Sequence, residues 1–219
     1  MLEHLKITRK IRNLSLQVLT CLKFPDPSHY SFRSIFKSIK EDLKIALEND
    51  PSAESKWDII LFSTSFHGLI LYRIYNALWY SGHKLSAKIL HYLSKTLFHM
   101  DIHPAAKIEP GVLIDHGFGV VIGSTASIGK GTIIYHGVTL GTRRIVDGKR
   151  HPDIGENVLI GAGAKILGPI KIGDNVQIGA NSVVLDDVPE NSKVAGIPAK
   201  PLKKSNSKEK VCCKLEGVT

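Results

Sequence analysis

Cysteine is scarce in these 219 residues: Cys21, Cys212 and Cys213 are the only three, and the last two are neighbours in a lysine-rich tail. Such a set builds no disulfide framework and fits a reducing compartment, so a cytoplasmic protein is expected. Long apolar runs are missing too. None reaches the roughly 18 residues that a membrane-spanning helix requires. The opening stretch MLEHLKITRKIRNLSLQVLTCLKF interrupts its apolar positions with Arg12, Asn13, Ser15 and Gln17, so neither a membrane partner nor a secretory leader is expected. Aromatic residues make up 7% and do not interleave with the basic ones as stacking platforms would, which argues against nucleic acid.

What is present is ordinary for a globular chain, with 43% hydrophobic and 22% charged residues. The net charge of +9 comes largely from the first thirty residues and from Lys203, Lys204, Lys208, Lys210 and Lys214. Those segments read as a basic helical extension (1–30) and a solvated, disordered tail (203–219). The excess charge suits an anionic small molecule.

From 31 to 100 the periodicity is helical. Ile35, Phe36, Ile39, Leu43, Ala46 and Leu47 recur at three- and four-residue spacing until Asn49-Asp50-Pro51 breaks the run. Trp57 to Tyr80 gives a second helical stretch and Leu85 to Met100 a third.

After Met100 an aliphatic residue returns at every sixth position. Ile102, Ile108 and Ile114 begin the series. After a two-residue slip it continues through Ile122, Ile128, Ile134 and Leu140, and then through Ile154, Ile160, Ile166, Ile172, Ile178 and Val184. A hexapeptide period of this length marks a parallel β-helix over 101–202, in which the aliphatic residue faces a continuous core and Gly, Asn or Asp turns each corner. Fourteen residues separate Leu140 from Ile154 where six would keep frame, so 141–153 leaves the coil as a loop. Long loops on rigid scaffolds tend to carry function.

Histidines gather at those interruptions. His103, His116 and His136 fall near corners, and His151 lies in the loop, where it is expected to project toward a neighbouring chain. Asp101 and His116 are fifteen residues apart, on adjoining rungs near one corner. A carboxylate there orients an imidazole and leaves its other nitrogen as a base. A corner histidine that merely bonds a backbone carbonyl is the competing reading. Zinc is a third, but no two of these histidines have the short spacing of a ligand pair, so no metal is expected.

The segments Asp101-Ile102-His103-Pro104-Ala105-Ala106-Lys107-Ile108, Ile114-Asp115-His116-Gly117, Gly137-Val138-Thr139-Leu140-Gly141, Arg150-His151-Pro152 and Ile160-Gly161-Ala162-Gly163-Ala164-Lys165 occur in that order. Together with Asn49-Asp50-Pro51-Ser52-Ala53 at the helix break, they make the chain resemble serine O-acetyltransferases from about residue 34 to 202. The resemblance implies an α+β fold: an N-terminal α-helical domain followed by a left-handed parallel β-helix, assembled as a homotrimer or a dimer of trimers with active sites between coils.

It also implies acetyl transfer from acetyl-CoA, as co-substrate, to the L-serine hydroxyl without an acyl-enzyme. His116 is then the general base and Asp101 its orienting carboxylate. Asp50 and Asp115 receive the substrate ammonium, while Arg150 and His151 of an adjacent subunit hold the carboxylate and the oxyanion. Gly161, Ala162, Gly163, Gly179 and Ala180 make room for the pantetheine arm, and Lys200, in the Ile197-Pro198-Ala199-Lys200 segment that ends the coil, meets CoA phosphates.

Two departures stand out. Gly141-Thr142-Arg143-Arg144 replaces the usual Gly-Gly-Thr-Gly, which keeps a sugar or another hydroxyl acceptor as the alternative. Members that dock into O-acetylserine sulfhydrylase end in Ile, whereas this chain ends Gly217-Val218-Thr219, which counts against that partner. A zinc hydratase and a silent scaffold are the readings from other classes.

Overall fold

The structure, a computed structural model, describes residues 32–50, 52–144 and 147–202. The basic extension, the basic tail and all three cysteines lie outside the described residues. Four helices come first: α1 (Phe32–Asn49), α2 (Lys56–Phe62), α3 (Thr64–Tyr80) and α4 (Lys84–Phe98). α1 stops two residues before Pro51, because proline disfavours helical backbone ahead of it. The expected single stretch from Trp57 to Tyr80 is split at Ser63. The Ser63 hydroxyl accepts from the Phe66 amide at 3.3 Å and caps a new helix. The apolar pattern runs straight through this break, so hydrophobicity alone hides it. α4 ends where His99 turns left-handed, at φ 54°.

Fifteen short strands follow, β1 (Asp101–Ile102) to β15 (Lys200–Pro201). They stack into three faces of a triangular coil. The first face is β1-β4-β7-β10-β13, the second β2-β5-β8-β11 and the third β3-β6-β9-β12-β14-β15. Every pairing is parallel except β14 with β15, which turns back to close the far end. All thirteen aliphatic positions of the hexad, from Ile102 to Val184, are buried. A second inward position two residues earlier in each hexad, held by Met100, Ala106, Val112, Val120, Thr132, Val158 and Ser182 among others, is equally buried. Its mixed chemistry conceals it from a hydrophobic count.

The open end of the first coil presents carbonyls with no strand beneath them, and buried carbonyls need partners. α3 supplies them. Tyr75 donates to the Ile102 carbonyl at 2.8 Å, Tyr72 to Ala106 at 2.9 Å, Tyr80 to Ala105 at 2.9 Å and Asn76 to Pro104 at 2.7 Å. Arg73 reaches the carbonyls of Ile108 and Glu109 while its Nε and Nη2 each lie 3.0 Å from Asp42 of α1. This lid sets the position of α1, and with it Asp50 just beyond its end.

Candidate active site

The two-residue slip after Ile114 places a histidine. Ile114 pairs with Ile134 and Val121 with Thr139, so six residues cross this corner where four cross the next. His116 and Gly117 are the surplus. His116 takes a left-handed conformation (φ 56°) and its side chain is 78% exposed. A side chain at Gly117 would crowd this corner, since a Cβ there would lie 2.9 Å from Met100 Sδ and 3.0 Å from Ser65 Cβ at a positive φ of 23°. Beside His116, Asp115 Oδ1 is 3.8 Å from Nε2, and the ring of His136 meets it edge-on at 6.4 Å. Asp50, Asp115, His116 and Phe118 share a cleft of about 260 Å³ beneath this corner. Asp50 also accepts the Ser52 amide (2.9 Å) and hydroxyl (2.6 Å) in a turn after α1. It therefore holds the turn after the helix and lines the cleft at once.

Arg150 and His151 stand elsewhere, at the corner between the first and second faces where the loop returns to the coil. His151 does not project as expected: it is 7% exposed and lies over Gly123, whose absent Cβ would sit 2.0 Å from its ring. The Thr125 amide donates to His151 Nδ1 at 3.2 Å, and its hydroxyl lies 2.9 Å from that atom. The same hydroxyl accepts the amides of Arg150 and His151, both at 3.1 Å. An Nδ1 that accepts leaves the proton on Nε2. Burial first, then Arg150, Lys149 and His103, hold His151 below its ordinary value of 6.5. The ring is thus a neutral donor. Gly123 and Thr125 carry this geometry and were not apparent in the sequence, because they lie a full coil away from the residue they serve.

Asp101 is not seated against His116. Its Oδ1 accepts from His91 Nε2 at 2.9 Å and its Oδ2 from Lys95 Nζ at 2.8 Å, both on α4. Fifteen residues do span adjoining rungs, but α4 packs against β1 and occupies the carboxylate first. Burial opposes ionisation of Asp101; Lys95 and His91 outweigh it and draw the carboxyl below its ordinary value. His103, on the same strand face, is lowered by burial, then by His91, with Arg150 and Lys88 adding to it.

The small residues have a packing reason to be small. A Cβ on Gly161 would meet the Ala180 amide nitrogen at 2.6 Å, one on Gly163 the Asn181 Oδ1 at 2.2 Å, and one on Gly179 the Ala195 Cβ at 2.8 Å. Ala162 is part-exposed and Ala180 exposed, so they face outward on the same corner as His116. The amide of Gly163 donates to the His136 carbonyl and that of Asn181 to Ala162, which stacks these residues along one edge. Lys200 pairs with Ala195 at the far end of this edge. Among the described residues no three His, Cys, Asp or Glu side chains converge as a metal would need.

In the departing loop segment, Arg143 Nη1 donates to the Leu185 carbonyl at 3.0 Å and its stem covers Gly168. Arg143, one of the three residues that depart from the Gly-Gly-Thr-Gly pattern, therefore latches the loop to later coils. No helix among the described residues is long and apolar enough to cross a membrane.

Residues 151–186 match the family described as bacterial transferase hexapeptide (six repeats). The chain is 47% identical over 162 residues to serine acetyltransferase of Helicobacter pylori, which covers 74% of this chain and 95% of that one. It is 47% identical over 168 residues to serine acetyltransferase 2 of Arabidopsis thaliana, and there it spans 77% of itself but only 52% of that relative's length. Among solved structures, Neisseria gonorrhoeae serine acetyltransferase in complex with serine is similar at a TM-score of 0.76 and 43% identity, covering 79% of this chain and 71% of that one. Serine acetyltransferase of Brucella abortus in complex with coenzyme A gives 0.74 and 40%, covering 76% and 66%.

Proposed function

This chain belongs to the serine acetyltransferase family, with its helical domain and left-handed parallel β-helix, and on that premise we propose that it acetylates the L-serine hydroxyl from acetyl-CoA. The products are O-acetyl-L-serine and CoA, as cysteine biosynthesis requires. His116 takes the hydroxyl proton as serine Oγ attacks the thioester carbonyl. The oxyanion of the tetrahedral intermediate then collapses, the C–S bond breaks, and the thiolate receives the proton from the imidazolium. No acyl-enzyme forms.

The observation that carries this reading is a single edge of the coil. From Asp115 beside His116, the register runs through Tyr135, Gly161, Gly179 and Ala195 to Lys200. Five strand spacings of roughly 4.8 Å make about 24 Å, room for an extended pantetheine arm with its thioester at the base and its phosphates near Lys200. Ala162 and Ala180 leave the way open.

The acceptor groups are divided. Asp50 and Asp115 stand with His116 to take the serine ammonium, while Arg150 and the His151 Nε2–H, for the carboxylate and the oxyanion, stand at the other end of the first face. Completion of one site from two copies supports a homotrimer, or a dimer of trimers, with the Arg150 corner of one copy closing the His116 corner of its neighbour. Asp101 supplies a fixed carboxylate that stabilises the imidazolium. The poverty in cysteine supports action in the cytoplasm. A sugar acceptor carries neither charge that Asp50 and Arg150 recognise, so serine is favoured over it.

Thiol release from acetyl-CoA is the test, with L-serine compared against L-homoserine and simple sugars. Release that depends on L-serine is expected. Release with sugars alone would defeat the assignment and leave only an acyltransferase.

A further inference from the structure

α4 aims two donors at one carboxylate, the His91 ring nitrogen and the Lys95 ammonium. His91 and Lys95 are four residues apart and so share a helix face. Between them they engage both oxygens of Asp101, at 2.9 and 2.8 Å. Asp101 is about a third exposed, at 34%, and each carboxylate oxygen has a second lone pair for a further donor. The helix therefore leaves the carboxylate accessible while removing its freedom to rotate. We infer that His91 and Lys95 are positioning residues for acetyl transfer, which hold the Asp101 carboxylate in one orientation at the His116 corner, so that its charge acts on the imidazolium from a fixed place.

The surroundings support a built arrangement. His91 is largely buried, with its ring 5.6 Å from Tyr75 of α3 and 6.3 Å from His103. Trp79 packs edge-on against His103 at 5.4 Å. Tyr75 donates its proton to the Ile102 carbonyl, so it does not compete for the carboxylate. The charged and titratable groups facing Asp101 are thus His91 and Lys95 from α4, Tyr75 from α3 and His103 on its own strand, with Arg150 acting on His103 from the loop. A tether between helix and coil is the competing role for this contact, and it predicts loss of stability alone. The inference rests on the acetyltransferase reading of Asp101.

Steady-state kinetics of the full chain with L-serine and acetyl-CoA, joined to thermal melting, separate these roles. His91→Leu and Lys95→Met are each expected to lower kcat about tenfold and leave KM for acetyl-CoA within about twofold. His91→Gln keeps an N–H donor and is expected to recover most of kcat. In an Asp101→Asn background, His91→Leu is expected to cost less than about twofold further, because both changes remove one device. Equal losses in both backgrounds, or melting that falls with kcat unchanged, overturn the inference while acetyl transfer stands. An Asp101→Asn variant with unaltered kcat removes both this inference and the role of the carboxylate. Lack of any L-serine-dependent release in the unaltered protein removes the whole reading.

Discussion

Thr125 and His151 lock each other in place. The amide of Thr125 donates to His151 Nδ1 at 3.2 Å, and its hydroxyl accepts the His151 amide at 3.1 Å while lying 2.9 Å from Nδ1. The loop of residues 141–153 thus returns to the coil at a defined point with a defined tautomer. Thr125→Val keeps the shape and deletes the hydroxyl, leaving the Arg150 and His151 amides short of an acceptor. Each lost bond is worth about 1 kcal/mol. KM for L-serine is expected to rise about tenfold, read by initial rates, with a smaller change in KM for acetyl-CoA.

Acid sensitivity follows from His103 and His151, both held below their ordinary value of 6.5, chiefly by burial. Protons then bind the unfolded chain more readily than the folded one. The contribution to stability is complete above pH 6.5, begins to be lost as pH falls through that value, and is fully lost below the folded values. Urea midpoints measured from pH 8 to pH 5 are expected to fall through this window. His103→Gln should flatten the slope.

The outer edge that carries the proposed pantetheine arm separates packing from binding. Gly161 lies against the next coil, so Gly161→Ala is expected to lower the melting temperature, since its Cβ would stand 2.6 Å from the Ala180 nitrogen. Ala180 is exposed, and Ala180→Phe is expected to keep the melting temperature and raise KM for acetyl-CoA about tenfold. If both variants merely lose stability, the edge has no part in binding the cofactor.

The coil was legible because it repeats. One aliphatic residue in six, from Ile102 to Val184, announces the period, and departures from it point to His116 and to the 141–153 loop. What stayed hidden depends on distance in the chain. Gly123 and Thr125 meet His151 across twenty-six or more residues, and the coil register that joins them follows from the loop's length only once its exit and return are known. The partners of Asp101 stayed hidden as well, because the docking of α4 onto β1, which brings His91 and Lys95 to it, leaves no periodic trace. Ser63 broke a helix whose apolar spacing, from Ile59 and Phe62 to Phe66 and Leu69, continued across it.

The lid over the first coil makes a final expectation that joins stability to function. Arg73 is 8% and Asp42 2% exposed, and Asp42 Oδ1 also accepts the Gly111 amide at 2.8 Å. Such a buried pair contributes little over an apolar pair of equal volume, but breaking one side strands a charge at about 3–5 kcal/mol. Arg73→Met is therefore expected to lower the urea midpoint strongly. The Arg73→Met/Asp42→Leu double variant should recover part of it, since no lone charge remains. Because α1 carries Asp50 only two turns beyond Asp42, loosening this pair is also expected to raise KM for L-serine in whatever fraction stays folded. Acetyl-CoA meets the far edge of the coil, and its KM should hold. A parallel rise in both constants would mean that the lid bears on the whole site and that α1 does not act through Asp50.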